Sequence, residues 1–305
     1  MSPSRAVALG GGHGFARTLA ALPQVVEHVT AVVTVADDGG SSGRLRRDLD
    51  VVPPGDLRQA LTTLARDPEM AAIVGYRFRR GELSGHSLGN LVLVALHELS
   101  DGDIVRALDR LAALLRVPGR VLPCTPARVT LHARTSGGAV SGQVAVQATS
   151  RLERVWLEPA DPPATPEAVG AIEEADLVVL GPGSLYTSVL PNLLVPGIAA
   201  ALAAARAPVV FVANLREQPG ETQGMSLTDH LDALEAHAPT LRLDAVVAHE
   251  GPAPAGDGLP RTTDPADLVG RPTRAVMADL LDGHDGHEPA ALARAFAGML
   301  RGAGT

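Results

Sequence analysis

No lysine occurs anywhere in the chain. That absence removes a P-loop lysine, a Schiff-base lysine and a lysine general base in one step. Cysteine is limited to Cys124, so intramolecular disulfides and cysteine-based zinc sites within one chain are excluded. Beside Pro123, that lone thiol reads as a small packed residue rather than a nucleophile. Aromatic residues make up 2% of the chain, too few for a stacking platform for single-stranded nucleic acid. The net charge of −8 and the lack of a long basic run point away from nucleic acid as a partner. No apolar run reaches the length of a membrane span. No signal-peptide pattern precedes the first strand, so the expected location is the cytoplasm.

What is present fits an ordinary α/β protein: 305 residues, 46% hydrophobic and 20% charged, enough for a full-sized core. Residues 5–9 predict a short buried parallel strand, and 10–14 a glycine loop. A helix follows to Leu22, stopped by Pro23, and then a second strand over 29–35. This βαβ unit implies a parallel sheet with a right-handed crossover. Helices are expected at 57–65 with Asp56 as N-cap, at 69–78, at 88–99 with Ser87 as N-cap, and at 103–115. From 119 to 157 the pattern becomes Thr/Val-rich and alternating, which predicts a small antiparallel β excursion. Strands at 176–180, 209–213 and 245–248 then alternate with helices at 167–174, 198–205 and 227–236. A Pro/Gly/Asp-rich stretch, 251–267, reads as a surface loop, and 288–300 as a closing helix. The expectation is a single domain over 1–305, a Rossmann-like three-layer α/β fold with the excursion inserted.

The polar residues gather at the carboxyl ends of the predicted strands, where open parallel sheets bind ligands. Gly10-Gly11-Gly12-His13-Gly14 joins strand to helix, and its amides could approach a phosphate closely. It is neither G-x-G-x-x-G nor a Walker loop. Asp37 and Asp38 end the second strand. In extended backbone their side chains face opposite sides, one toward a ligand and one bracing the loop. Ser41, Ser42 and Arg44 follow in a glycine run read as loop. Asp56 and Arg58 come after Pro53-Pro54-Gly55, with capping and ligand or metal binding both open for Asp56. Ser87 and Asn90 enter a helix, and a polar amide one turn into an apolar helix needs a partner. Gly181, Gly183 and Ser184 leave a core strand, followed by Asn192. Asn214 and Glu217 leave the next. His86 has no triad partner visible in sequence, so Ser–His hydrolysis finds little support.

Taken together, GGGHG at 10–14, TVADDGGSSGRLR at 34–46, PPGDLR at 53–58, GHSLGNL at 85–91, GPGSLYTSVLPNLLVPGI at 181–198 and QPGET at 218–222 resemble the YvcK-like gluconeogenesis-factor family, related to 2-phospho-L-lactate transferase (CofD). The resemblance implies a Rossmann-like fold that binds uridine diphosphate sugars, notably UDP-N-acetylglucosamine. It also implies a regulatory role in gluconeogenic growth, cell shape and envelope synthesis, with no settled catalytic activity. Ligand is then expected at Gly10–Gly14, Asp37, Asp38, Ser41, Ser42, Arg44, Asp56, Arg58, Ser87, Asn90, Gly181, Gly183, Ser184, Asn192, Asn214, Glu217 and Met225. His13 stands where the family has Thr. Met225 stands where it has an aromatic, so it could cover a sugar or uracil face only by packing. No cofactor is required on this reading. The partners are a nucleotide sugar or dinucleotide and regulatory proteins, and a homo-oligomer is compatible with it. The alternative is a CofD-like transferase with a guanosine diphosphate donor, in which Asp38 and Asp56 would hold Mg²⁺ and be catalytic. The Gly-Ser run after Asp38 and the scarcity of aromatics favour the binding protein.

Overall fold

The computed structural model describes residues 4–251, 270–283 and 286–302. The reading of 251–267 as a surface loop falls, beyond Gly251, outside the described residues. The first half runs β1 (Arg5–Gly10), α1 (Gly12–Ala21), β2 (His28–Val33), α2 (Gly40–Leu49), α3 (Gly55–Leu64), α4 (Pro68–Gly75), α5 (Leu88–Glu98), α6 (Ile104–Leu114) and β3 (Arg120–Pro123). Next come β4 (Thr130–Thr135), β5 (Gly138–Ser141), α7 (Gln143–Gln147) and β6 (Arg154–Glu158). The second half runs α8 (Pro166–Glu173), β7 (Leu177–Leu180), a π-helical turn (Leu185–Val189), α9 (Leu190–Leu193), α10 (Pro196–Ala204) and β8 (Val209–Val212). It closes with α11 (Leu227–His237), β9 (Ala245–His249), β10 (Arg274–Ala278) and α12 (Pro289–Gly302). Among the described residues no single helix is long and apolar enough to cross a membrane.

Among the described residues seven parallel strands form the main sheet, in the order β10-β9-β8-β7-β1-β2-β3. The chain starts in the middle and builds outward in both directions, so β1 lies at the switch point between β7 and β2. Every residue of β7 and β8 is buried, as expected of strands covered on both faces. Helix α1 packs against both α3 and α12, and α10 against both α8 and α9. The core around them is one continuous apolar cluster running from Ala6 to Met299.

The structure departs from the sequence-based expectations in five places. The antiparallel excursion begins at Thr130, not 119: β3 pairs in parallel with β2 in the main sheet, and only β5-β4-β6 forms the small antiparallel sheet. The run 40–49 is helix α2, not loop. Gly43 sits where a Cβ would fall 1.8 Å from the Asp38 carbonyl oxygen, so the small residues of this turn fit tertiary space that propensity does not report. Asp56 does not cap α3. The cap is Pro54, and Asp56 lies in the first turn with its carboxylate accepting the Gly12 N–H. Helix α4 ends at Gly75 and is capped by Asp67. The chain then forms a short ribbon in which the Phe78 N–H donates to the His86 carbonyl and the Gly85 N–H to that of Phe78. Strand β10 has no counterpart in the sequence reading. Ser87, by contrast, caps α5 as expected, its hydroxyl accepting the Asn90 N–H.

Candidate functional site

A cavity of about 430 Å³ opens at the carboxyl ends of β1 and β2. Three helices deliver their first turns to it. The start of α1 supplies His13, that of α2 supplies Gly39, Gly40, Ser41 and Ser42, and that of α3 supplies Gly55, Asp56, Arg58 and Gln59. Asp37, Arg77 of the ribbon and Asn90 of α5 complete the wall. The N-cap residues of these three helices, Gly11, Gly39 and Pro54, make no side-chain capping bond, and at α1 the Asp56 carboxylate takes the first-turn Gly12 N–H. Close approach is built in: a Cβ on Gly11 would lie 2.7 Å from Asp56 Oδ2. Behind the loop, Phe15 fills the space that Gly10 and Gly181 leave, where a Cβ would fall 2.6 and 2.7 Å from its ring.

The electrostatics are strained. Burial pushes the Asp56 carboxyl up to about 7, and the charge of Asp37 adds to the rise, while the Gly12 N–H and Arg58 oppose it. Asp37 is also raised by burial, against the pull of the Gly39 N–H and the Ser42 hydroxyl, with Asp38 adding a little. Burial, and after it the charge of Arg77, lower the Arg58 pKa, and Asp56 opposes them only in part. Two carboxylates and two guanidinium groups thus share one cavity without bidentate pairing.

A second cavity of about 340 Å³ lies on the other side of the first loop. It is lined by Gly14 and Arg17 of α1, Pro182 and Gly183 after β7, Asn214 to Arg216 and Gln218 after β8, and Gly286 and His287 before α12. His13 lines both cavities. The Asn214 amide brackets Gly183, accepting its N–H at 2.8 Å and donating to its carbonyl at 2.7 Å. Arg17 pairs with Asp282 at 2.8 Å, which ties α1 to the segment before α12. His287 is buried and its pKa falls to about 4, burial being the main cause.

Of the residues singled out in the sequence, the first cavity gathers His13, Asp37, Ser41, Ser42, Asp56, Arg58 and Asn90. The second gathers His13, Gly14, Gly183 and Asn214. Others are spent on the scaffold. Asp38 faces away and accepts the Val144 N–H at 3.0 Å, so the carboxylate beside Asp56 is Asp37, not Asp38. Arg44 donates to the Ser84 carbonyl. Asn192 is fully buried and donates to the Gly10 and Ser188 carbonyls. Glu217 accepts the Gly224 N–H, and Met225 packs on the core outside both cavities. Ser184 donates to Glu221, a buried carboxylate that sequence reasoning left unassigned. Glu221 also accepts the N–H groups of Tyr186 and Thr187 and so closes the start of the π-helical turn. Arg77, Gln218 and His287 were likewise missed, since their loops carry no local signal of where they fold back, and so were Arg17 of α1 and Gln59 of α3, which no motif distinguishes from ordinary helix residues.

Fold and crevice together define a doubly wound α/β protein with a split polar crevice at its topological switch point. Residues 6–265 match the family described as 2-phospho-L-lactate transferase CofD. A "Putative gluconeogenesis factor" of Mycobacterium tuberculosis (strain ATCC 25618 / H37Rv) is 52% identical over 255 residues, 79% of this chain and 74% of the relative. The "Gluconeogenesis factor" of Bacillus subtilis (strain 168) is 43% identical over 244 residues, 79% of this chain and 77% of the relative. The crystal structure of a UPF0052 family member from Bacillus halodurans superposes with a TM-score of 0.91 at 36% identity, covering 97% of this chain and 99% of that one. The chain belongs to the CofD family, within its gluconeogenesis-factor branch.

Proposed function

We propose that the protein is a cytoplasmic regulatory protein that binds a nucleotide sugar of the UDP-N-acetylglucosamine type in this crevice. Through partners, it would affect central carbon metabolism, cell shape and envelope synthesis. The observation that carries the reading is the first cavity itself. Arg58 and Arg77 line one space, the charge of Arg77 working against the Arg58 cation, and three helix starts whose N-cap residues make no side-chain bond open onto it. A diphosphate offsets both. Asp37 and Asp56 supply acceptors for hydroxyls, and the second cavity gives the rest of the ligand a place beyond His13. The names of the relatives support a role in gluconeogenic metabolism.

A second reading rests on the raised carboxyls of Asp37 and Asp56. Two hard oxygen donors beside a phosphate subsite suit Mg²⁺, which keeps several waters and takes its remaining ligands from phosphates. Among the described residues no group of three or more His, Cys, Asp or Glu side chains surrounds one metal position. Asp37 and Asp56 would therefore hold the ion together with the ligand. Its chemistry would be to neutralise a guanosine diphosphate donor, as in a CofD-like transferase. A thermal-shift screen with UDP-N-acetylglucosamine, GDP and NAD, with and without Mg²⁺, separates the two. Ligand at 100 times Kd adds about 2.7 kcal/mol, a rise of about 4 °C for a chain of this size. A shift with GDP and Mg²⁺ but none with the UDP-sugar reverses the order of the readings.

A further inference from the structure

One wall of the first cavity is a chain of hydrogen bonds whose direction is fixed at its far end. Arg58 Nε lies 3.2 Å from Asn90 Oδ1. A guanidinium only donates, so the oxygen of the Asn90 amide must face it. The amide nitrogen then faces Ser41 and donates to its Oγ at 3.0 Å. Ser41 Oγ is 2.9 Å from His86 Nδ1. All three of these polar residues are buried: Asn90 is 1% exposed, Ser41 5% and His86 9%.

A hydroxyl has one proton and two lone pairs, and Asn90 occupies one pair. Two arrangements remain. If Nδ1 is bare, Ser41 gives its proton to His86 and offers the cavity a lone pair. If Nδ1 carries hydrogen, His86 donates to Ser41, and the hydroxyl proton is left to point into the cavity. We propose that this chain selects the occupant of the first cavity: Ser41 donates to a phosphate oxygen only when His86 Nδ1 carries hydrogen, and accepts from a ligand donor only when it does not. The inference deepens the reading above and rests on a phosphate-bearing ligand in this cavity.

The charges around the ring fit such a switch. Arg44 and Asp48 face it from α2 and Arg77 from the ribbon. Burial is the largest influence against a charged ring; Arg44 and Arg77 act the same way, and Asp48 opposes them. An anion in the cavity neutralises part of that positive field and favours hydrogen on Nδ1, either by proton uptake or by a change of tautomer.

The test is nitrogen-15 NMR of the full chain, with His86 assigned by comparison with His86→Asn, during titration with pyrophosphate in EDTA. Nδ1 is expected to change from the bare to the hydrogen-bearing type at saturation. Ser41→Ala should bind pyrophosphate about tenfold or more weakly, the loss of one charge-assisted hydrogen bond, with Nδ1 unmoved by the ligand. The proposal is overturned by any of four results: no saturable binding, Nδ1 bare at saturation, Nδ1 already carrying hydrogen without ligand, or the same change in Ser41→Ala. Pyrophosphate carries no uridine or sugar, so the two readings fail separately. A UDP-sugar thermal shift with no change at His86 removes only the switch. A change at His86 with no UDP-sugar shift removes only the sugar.

Discussion

Asp56→Asn should make the protein more stable, and more so as pH rises. The Asp56 carboxyl titrates near 7 in the fold instead of 3.8. Between those values the native state holds a proton that the unfolded chain has released, so stability falls as pH rises through this window. At 1.36 kcal/mol per pH unit, the full opposition to folding above pH 7 is about 4 kcal/mol, and at pH 5 about 1.6 kcal/mol. Coupling to Asp37 and relaxation around a buried group reduce both figures. The asparagine oxygen still accepts the Gly12 N–H, and its NH₂ group removes the repulsion toward Asp37. The expected gain is therefore about 1–3 kcal/mol at pH 8 and under about 1.5 kcal/mol at pH 5. Urea unfolding in EDTA at both pH values measures it. A gain that does not grow with pH, or a variant less stable than wild type at pH 8, refutes the account of Asp56 as a destabilised functional carboxylate. A matching loss of ligand-induced thermal shift would complete the usual exchange of function for stability.

Glu221→Ala should cost about 3–5 kcal/mol, because it strands the Ser184 hydroxyl and the amides of Tyr186 and Thr187 in a buried place. A loss below 1 kcal/mol in chemical unfolding would show those donors find other partners. Asp38→Ala should cost about 1 kcal/mol through the freed Val144 N–H of α7, while leaving pyrophosphate affinity within twofold. A tenfold loss of affinity in that variant would return Asp38 to the cavity.

The βαβ start, the core strands and most helices were legible in the sequence because their apolar periods are local. The alternation of Asp37 and Asp38 was legible for the same reason. One side chain faces the cavity and the other braces α7, as extended backbone requires. Helix α2 was hidden because glycine and serine are poor helix formers, and only packing around Asp38 explains them. The four residues of β3 were assigned to the wrong sheet because a strand that short carries no mark of its neighbour. Within the site, the pairing of Ser41 with His86 spans 45 residues, and Arg77 reaches the cavity through a ribbon that no motif announces. Sequence motifs supplied the loops, and tertiary closure decided which side chain of each loop meets which.

The placement of His13 has a consequence for how this fold can diversify. Beyond His13, residues 37–90 build one cavity, and residues 182–218 with 286–287, joined by Gly14 and Arg17 of α1, build the other, so the two compartments draw on different stretches of the chain. Substitutions in one compartment can accumulate without altering the other, and a lineage can keep its grip on one end of a ligand while trading the other end. Among the described residues position 13 alone lines both compartments. A change there is a change of two specificities at once.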